Sequence, residues 1–136
     1  LFAGSGALGL EALSRGANSC TFVEEHRQAV NVINENLAKS RLDGGHAVKS
    51  DVHTFLKRDA ATDDTIFADP PSWKFYGDKD HISYLLVSGL IPPRLAPGGW
   101  LVVEISSHQK SPECEDFTLS DRREYGGSAI LFYSKK

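Results

Sequence analysis

Several kinds of residue are rare or missing in this 136-residue chain. It contains no methionine and only two cysteines, Cys20 and Cys114, and none of its apolar runs approaches the roughly 20 residues that a membrane helix needs. The cysteines have no metal-ligand spacing; a disulfide between them stays open, but we expect two reduced thiols in a cytoplasmic protein. Because no initiator methionine is present and the chain begins inside a predicted strand, we also expect an N-terminal segment to precede it.

The chain also lacks an excess of positive charge. Its 15 lysines and arginines stand against 18 aspartates and glutamates, which gives a net charge of −3. This balance argues against a domain that grips nucleic acid by bulk charge alone. A hydrophobic content of 40% and a charged content of 24% are ordinary for a soluble globular protein. We therefore expect a single domain over residues 1–136, monomeric, with no metal and no membrane contact.

Strand and helix patterns alternate along the chain, which is typical of an α/β fold with a largely parallel sheet. Pro97-Gly98-Gly99 predicts a turn into the fifth strand, and Gly126-Gly127 predicts the turn of a final antiparallel hairpin. The predicted strands are 1–3, 19–23, 47–49, 65–68, 100–104, 119–125 and 128–133, and the predicted helices are 7–15, 26–39, 52–57 and 81–90.

A glycine loop opens the chain, where Gly4, Gly6 and Gly9 match the pattern G-x-G-x-x-G between a strand and a helix. Such a loop lets the backbone approach a ligand and presents helix N–H groups to negative charge. Glu24 follows the second strand, where a carboxylate can bind ribose hydroxyls. Asp51 follows the third strand, where it could accept a hydrogen bond from an adenine amino group. The set fits a dinucleotide or S-adenosylmethionine; the alternatives are glycines that serve only turning and packing, and an Asp51 that caps the next helix.

The segment Asp69-Pro70-Pro71 comes directly after the apolar strand 65–68. An exocyclic amine on a base is a poor nucleophile, because its lone pair is delocalised into the ring. Two acceptors aimed at its hydrogens, the Asp69 carboxylate and the Pro70 carbonyl, can draw the nitrogen toward a tetrahedral geometry, and proline holds that carbonyl rigidly. Catalysis by positioning of this kind favours methyl transfer to an amino nitrogen. The alternative is a turn that only ends the strand.

Aromatic residues follow in the same loop, among them Trp73, Phe75 and Tyr76. A base taken out of its stack is commonly held against an aromatic face, so Trp73 and Tyr76 are candidates for substrate binding. Ordinary packing of the loop onto the domain explains any single one of them equally well.

With these residues in view, the chain resembles the RsmD family of bacterial small-subunit (16S) rRNA guanine-N2 methyltransferases. The likeness is strongest in the first motif, residues 1–17, and continues through Phe22-Val23-Glu24, Asp51, the segment 66–71, Val103-Glu104 and the final hairpin. The resemblance implies a class I S-adenosylmethionine-dependent (Rossmann-like) methyltransferase fold, with a mostly parallel seven-stranded sheet whose last strand is antiparallel. It also implies S-adenosylmethionine as methyl donor and the N2 of a guanine in assembling small ribosomal subunits as target.

One departure from the family affects the substrate site, since Ser72 stands where the family usually has phenylalanine or tyrosine. That aromatic would stack on the target base, so Trp73 or Tyr76 would have to replace it, with Ser72 beside them. The residues leave other functions open. These are methyl transfer to adenine N6 in DNA or to a protein glutamine, a nicotinamide-dependent oxidoreductase, and a non-enzymatic RNA- or ribosome-binding module.

Overall fold

The computed structural model describes residues 1–58, 61–70 and 81–136, which fall into two compact units, 1–55 and 56–136. Among the described residues, none of the helices is both long and apolar enough to span a membrane. The helices are α1 (Ala7–Ser14), α2 (Arg27–Ser40), α3 (Val52–Arg58) and α4 (His81–Val87), with a 3-10 turn at Pro92–Arg94, and the strands are β1 (Cys20–Glu24), β2 (Gly45–Lys49), β3 (Asp63–Ala68), β4 (Leu95–Ser106), β5 (Phe117–Tyr125) and β6 (Ser128–Lys135).

The first unit is built on the parallel pair β1–β2, whose register runs from Cys20 opposite Gly45 to Glu24 opposite Lys49. Helices α1 and α2 pack against this pair through a core of Leu13, Phe22 and Ile33. The sequence predicted these elements to within two residues at each end. The parallel register aligns the carboxyl ends of β1 and β2, so Glu24 lies at the edge where both strands end.

The predicted strand at residues 1–3 is wrong as stated. Phe2 has φ 55°, in the left-handed region, and a residue in that conformation cannot continue a β-ladder. One backbone bond still ties the segment to β1, because the Ala3 N–H donates to the Val23 carbonyl at 3.0 Å. The segment therefore lies alongside β1 without forming a strand.

The second unit contains a mixed four-stranded sheet in the order β3-β4-β6-β5. Strands β3 and β4 are parallel, while β6 is antiparallel to both β4 and β5. The predicted final hairpin is confirmed, with Tyr125 opposite Ser128 across the two glycines. The buried apolar side chains of this unit include Ile66, Ile82, Leu85, Leu86, Leu101, Val103, Ile105, Leu131 and Tyr133.

The predicted turn at Pro97-Gly98-Gly99 is a bulge inside a strand that begins earlier. Strand β3 advances two residues, from 63 to 65, while β4 advances five, from 95 to 100. The extra residues need glycine: Gly98 has φ 79°, and a Cβ on Gly99 would lie 2.9 Å from the Ala96 carbonyl oxygen. Glycine and proline thus widen the strand locally, and the pairing resumes directly before the carboxyl end that carries Glu104.

Candidate functional site

The glycine loop is a tight turn between the start of the chain and α1. The Gly6 N–H donates to the Ala3 carbonyl at 2.8 Å, and Gly4 and Gly6 have φ 57° and 85°. A Cβ on Gly4 would meet no heavy atom within 4 Å, so open space lies beside its Cα. Gly6 is the N-cap of α1 and offers no side-chain acceptor to the helix. The loop therefore presents backbone to open space at the start of a helix, as a phosphate- or nucleoside-binding loop does.

Gly9 differs from the other two glycines, because it packs a helix against a strand. A Cβ on Gly9 would collide with the ring of Phe22 and would lie 2.7 Å from the Cys20 sulfur. Close helix–strand packing is the third role that glycine has in G-x-G-x-x-G loops. The packing alternative is therefore observed for Gly9, and its predicted contact with a cofactor stays a prediction.

Glu24 ends β1 and fastens the glycine loop to that strand. Its Oε1 accepts the Gly4 N–H at 3.0 Å and its Oε2 accepts the His26 N–H at 2.8 Å, while the residue is only 8% exposed. A carboxylate has about four acceptor sites, so two backbone donors leave capacity for ligand hydroxyls. Gly4 and Glu24, predicted from separate motifs, are brought into direct contact.

Asp51 caps α3, as the alternative interpretation predicted. Its Oδ2 accepts the Thr54 N–H at 3.0 Å and the Thr54 hydroxyl at 3.2 Å. The hydrogen bond from the Thr54 N–H is the main cause that lowers the pKa of Asp51. The neighbouring residue is tied to Glu24, since the Ser50 N–H donates to the Glu24 carbonyl at 3.0 Å. Asp51 thus lies at the same edge as Glu24, and its adenine contact stays a prediction.

Asp69 follows β3 directly and faces Glu104 on β4. Ala68 is opposite Val103 in the parallel register, so the next residues of the two strands, Asp69 and Glu104, are neighbours. Partial burial of the carboxyl, reinforced by the Glu104 carboxylate, raises the pKa of Asp69 to about 6. Asp69 as a whole remains exposed. At pH 7 it is therefore mostly a carboxylate, accessible and able to accept a hydrogen bond.

The rest of the predicted substrate site lies mainly outside the described residues. Pro70 is described and partly buried directly after Asp69. Pro71, Ser72, Trp73 and Tyr76 lie outside the described residues, so their predicted roles stay predictions. No group of three or more histidine, cysteine, aspartate or glutamate side chains that could hold a metal occurs within residues 1–58, 61–70 and 81–136.

The motifs predict no role for Glu104 itself, although its position carries a signal. The predicted fifth strand ended at Glu104, next in chain order to the strand that ends before Asp69. Two acidic residues at the carboxyl ends of successive parallel strands are expected to meet at one edge of a sheet. What the sequence could not supply was the register, because the bulge near Gly98 shifts β4 by three residues relative to β3.

Comparison with known proteins gives a consistent family match. The chain matches the family described as conserved hypothetical protein 95 over residues 1–134. Ribosomal RNA small subunit methyltransferase D of Escherichia coli (strain K12) is 41% identical over 70 residues, which cover 52% of this chain and 35% of that protein. The protein of the same name from Haemophilus influenzae is 31% identical over 136 residues, which cover 97% of this chain and 68% of that protein. The first match thus spans about a third of its relative's length.

Solved structures extend the likeness to the fold. The yhhF protein of Escherichia coli superposes with a TM-score of 0.80 at 30% identity, covering 99% of this chain and 72% of that chain. SMU.776, solved in complex with SAH, superposes with a TM-score of 0.79 at 17% identity, covering 98% and 43%; at that identity the likeness concerns the fold alone. The chain has the α/β fold of class I methyltransferases, which confirms the predicted fold class at this level.

Proposed function

Because this chain belongs to the RsmD family, described as conserved hypothetical protein 95, we propose that it transfers a methyl group from S-adenosylmethionine to the exocyclic N2 of a guanine in small-subunit (16S) rRNA. The observation that carries the proposal is the position of Asp69, an accessible carboxylate at the carboxyl end of β3, followed at once by Pro70. The acceptor class comes from relatives that are named as small-subunit rRNA methyltransferases.

The cofactor is held by the first unit in this proposal. Glu24 binds the ribose hydroxyls with the acceptor sites that the Gly4 and His26 N–H groups leave, and Gly4 and Gly6 let the ligand approach the backbone. Gly9 serves the loop by packing α1, and Asp51 contacts the adenine. When bound, S-adenosylmethionine supplies an electrophilic methyl group on a sulfonium. The open space beside Gly4 and the fixed carboxylate of Glu24 fit such a nucleoside.

The acceptor amine is polarised by the second unit. The Asp69 carboxylate and the rigidly held Pro70 carbonyl each accept one N–H of the guanine amino group, and Pro71 completes the catalytic segment. The nitrogen lone pair is thereby localised, and Asp69 stabilises the positive charge that develops on the nitrogen as it is methylated. Trp73 and Tyr76 hold the base by stacking, with Ser72 beside them.

The remaining features of the proposal concern the whole protein. Residues 1–136 act as a single methyltransferase domain, which the unbroken family match over residues 1–134 supports. The proposed sheet is the mostly parallel seven-stranded sheet of the class I fold, and the parallel pairs β1–β2 and β3–β4 with the antiparallel β6 support it. The protein works as a cytoplasmic monomer on the small ribosomal subunit or its RNA.

The proposal is tested by identifying the methylated product. Protein is incubated with methyl-labelled S-adenosylmethionine and with unmodified small-subunit particles, naked small-subunit rRNA or DNA, and the product nucleosides are identified by mass. Label in N2-methylguanosine is expected from the ribosomal acceptors. Label in N6-methyladenosine or in a protein glutamine would overturn the acceptor, and the absence of label on every acceptor would overturn the activity.

The role of Asp69 has a matched control on the same strand. Asp69→Ala removes one preorganised acceptor, so kcat should fall by about 10²–10³, whereas Asp64→Ala, near the opposite end of β3, should keep the wild-type rate. Circular dichroism of both variants checks the fold. A folded Asp69→Ala variant that transfers methyl groups at the wild-type rate contradicts the assignment.

A further inference from the structure

Two carboxyl groups meet at the carboxyl edge of the parallel pair β3–β4. The side chains of Ile66 and Ala68 on β3 are buried, and so are those of Leu101 and Val103 on β4. Asp69 and Glu104 alternate with these residues, so both lie on the less buried face and directly beside each other. Carboxyls in this position can share a hydrogen bond, which raises the pKa of Asp69 in addition to burial and the Glu104 charge. A hydrogen bond between two carboxyl groups needs one proton between them.

Within the second unit, the next strand places no positive charge opposite this pair. Strand β6, the other neighbour of β4, places the apolar Ile130 opposite Glu104. Glu104 is therefore the acidic group that the strand register places beside Asp69. Like charges this close cannot both ionise freely, so one of the two carboxyls keeps its proton to a higher pH than an isolated carboxyl would.

We propose that Glu104 sets the pH below which the enzyme stops working: when Asp69 takes up a proton, the adjacent Glu104 carboxyl shares it in a hydrogen bond, and Asp69 is no longer free to accept the substrate amine. The proposal rests on the proposed function, in which Asp69 accepts a hydrogen bond from the substrate amine. A protonated Asp69 cannot fill that role on both oxygens, since one of them has become a donor.

The proton balance of the reaction gives the pair a second use. As the N–C bond forms and the S–C bond breaks, the amine nitrogen becomes positively charged and must lose one proton. Asp69 is the base that contacts that nitrogen, and the proton passes to the shared site between Asp69 and Glu104 and then to water. The pKa of Asp69, raised to about 6, matches a base that is ionised at pH 7 and still able to hold a proton briefly.

The first test needs neither substrate nor cofactor. The Asp69 carboxyl is titrated by NMR in protein with ¹³C-labelled aspartate, and Asp69→Asn identifies its resonance by removing it. In Glu104→Gln, which keeps the side-chain shape and a hydrogen-bond donor but loses the charge, the midpoint should fall by about 1 pH unit from its wild-type value. Asp64→Asn, on the same strand away from Glu104, should leave it in place. An Asp69 midpoint that is the same in Glu104→Gln and wild type overturns the proposal, whatever the enzyme's activity.

The second test uses the rate. With saturating acceptor and donor, Glu104→Gln should move the acid limb of kcat to lower pH, so that at pH 5 it retains about fivefold more of its own plateau rate than wild type does. Glu104→Ala, which removes the charge without leaving a hydrogen-bond donor, should move the acid limb in the same direction. If wild type makes no N2-methylguanosine, the proposed function fails while the NMR titration still decides the role of Glu104. If wild type is active and all three proteins share one acid limb, the proposed role of Glu104 fails alone.

Discussion

Two carboxylates at the ends of parallel strands have opposite environments in this chain. Glu24, after β1, is 8% exposed and accepts the N–H groups of Gly4 and His26. Asp69, after β3, is exposed and faces the carboxyl of Glu104. The first carboxylate is surrounded by donors that stabilise its charge, and the second is beside a group that opposes its charge. The two carboxylates therefore have equivalent positions at the ends of strands, and the groups beside each one determine its chemical behaviour.

In the proposed function, this difference separates a carboxylate that binds the cofactor from one that takes part in the reaction. A carboxylate that accepts two backbone N–H groups is held in one orientation, and its removal leaves both donors unsatisfied. A carboxylate paired with another carboxylate can exchange a proton near neutral pH, and its removal costs the fold little stability. The predicted cofactor and catalytic roles correspond to these two environments.

The sharpest way to break the comparison is to make the same isosteric change at both positions. Glu24→Gln replaces one oxygen by an NH₂ donor, so one backbone N–H loses its acceptor, and the free energy of unfolding should fall by about 1–3 kcal/mol. Asp69→Asn removes an opposed charge, so the unfolding free energy at pH 7 should be unchanged or slightly higher, while kcat falls by about 10²–10³. Urea unfolding and methyl transfer measure the two effects.

The comparison is contradicted if the stabilities of the two variants do not differ in this order. A Glu24→Gln variant with wild-type stability would show that its backbone donors find water instead. An Asp69→Asn variant that unfolds as easily as Glu24→Gln would show that Asp69 also holds the fold, and the contrast between the two carboxylates would disappear.

A second prediction concerns the packing of α1 against β1, the strand that ends in Glu24. Gly9→Ala places a methyl group against the Phe22 ring and the Cys20 sulfur, and overpacking a core in this way costs about 1–3 kcal/mol even after the gain in helix propensity. Gly16→Ala, at the end of the same helix, meets no atom within 4 Å and costs only the strain of its φ of 106°, about 1 kcal/mol.

Thermal unfolding of both variants measures this difference. A Gly9→Ala variant that melts at the same temperature as Gly16→Ala or higher would mean that Phe22 moves aside without cost. In that case Gly9 is needed for the ligand and not for packing, which reverses the interpretation of the third glycine.

Much of this arrangement could be predicted from the sequence. Hydrophobic periodicity and glycine signals placed α1 and β1 to within one residue, because local propensity and burial agree there. The Asp69 position followed from an apolar run that ends in a polar residue. The position of Glu24 beside the glycine loop was also predictable, since an acidic residue after the second strand meets that loop in this topology.

What the sequence could not supply was pairing and conformation. The prediction of a strand at 1–3 was wrong because Phe2 is in the left-handed region, which phenylalanine does not favour. The segment around Gly98 was predicted as a turn and is a bulge, since glycine and proline are typical of both structures. The predicted helix 81–90 ends at Val87, where the Ser88 hydroxyl donates to the Leu85 carbonyl and accepts the Leu90 N–H. The contact of Asp69 with Glu104 depends on register, which residue types alone do not determine.

The smallest expected effect is the pH dependence of stability, which should have opposite signs at Asp51 and Asp69. Hydrogen bonding from Thr54 lowers the pKa of Asp51, so its charge stabilises the fold above the unfolded pKa of about 4, and that stability is lost as pH falls through the folded value. Asp51→Asn keeps the cap and loses the charge, so it should be about 0.3–1 kcal/mol less stable than wild type at pH 7, and the difference should shrink as pH falls below 4. Asp69 has its pKa raised to about 6, so the folded state binds the extra proton between pH 4 and 6, and wild type loses stability as pH rises through that window. Asp69→Asn should therefore equal wild type at pH 4 and exceed it slightly at pH 7. Urea midpoints of the three proteins from pH 3 to 7 measure both slopes; two slopes of the same sign would show that Asp69 and Asp51 share one kind of environment after all.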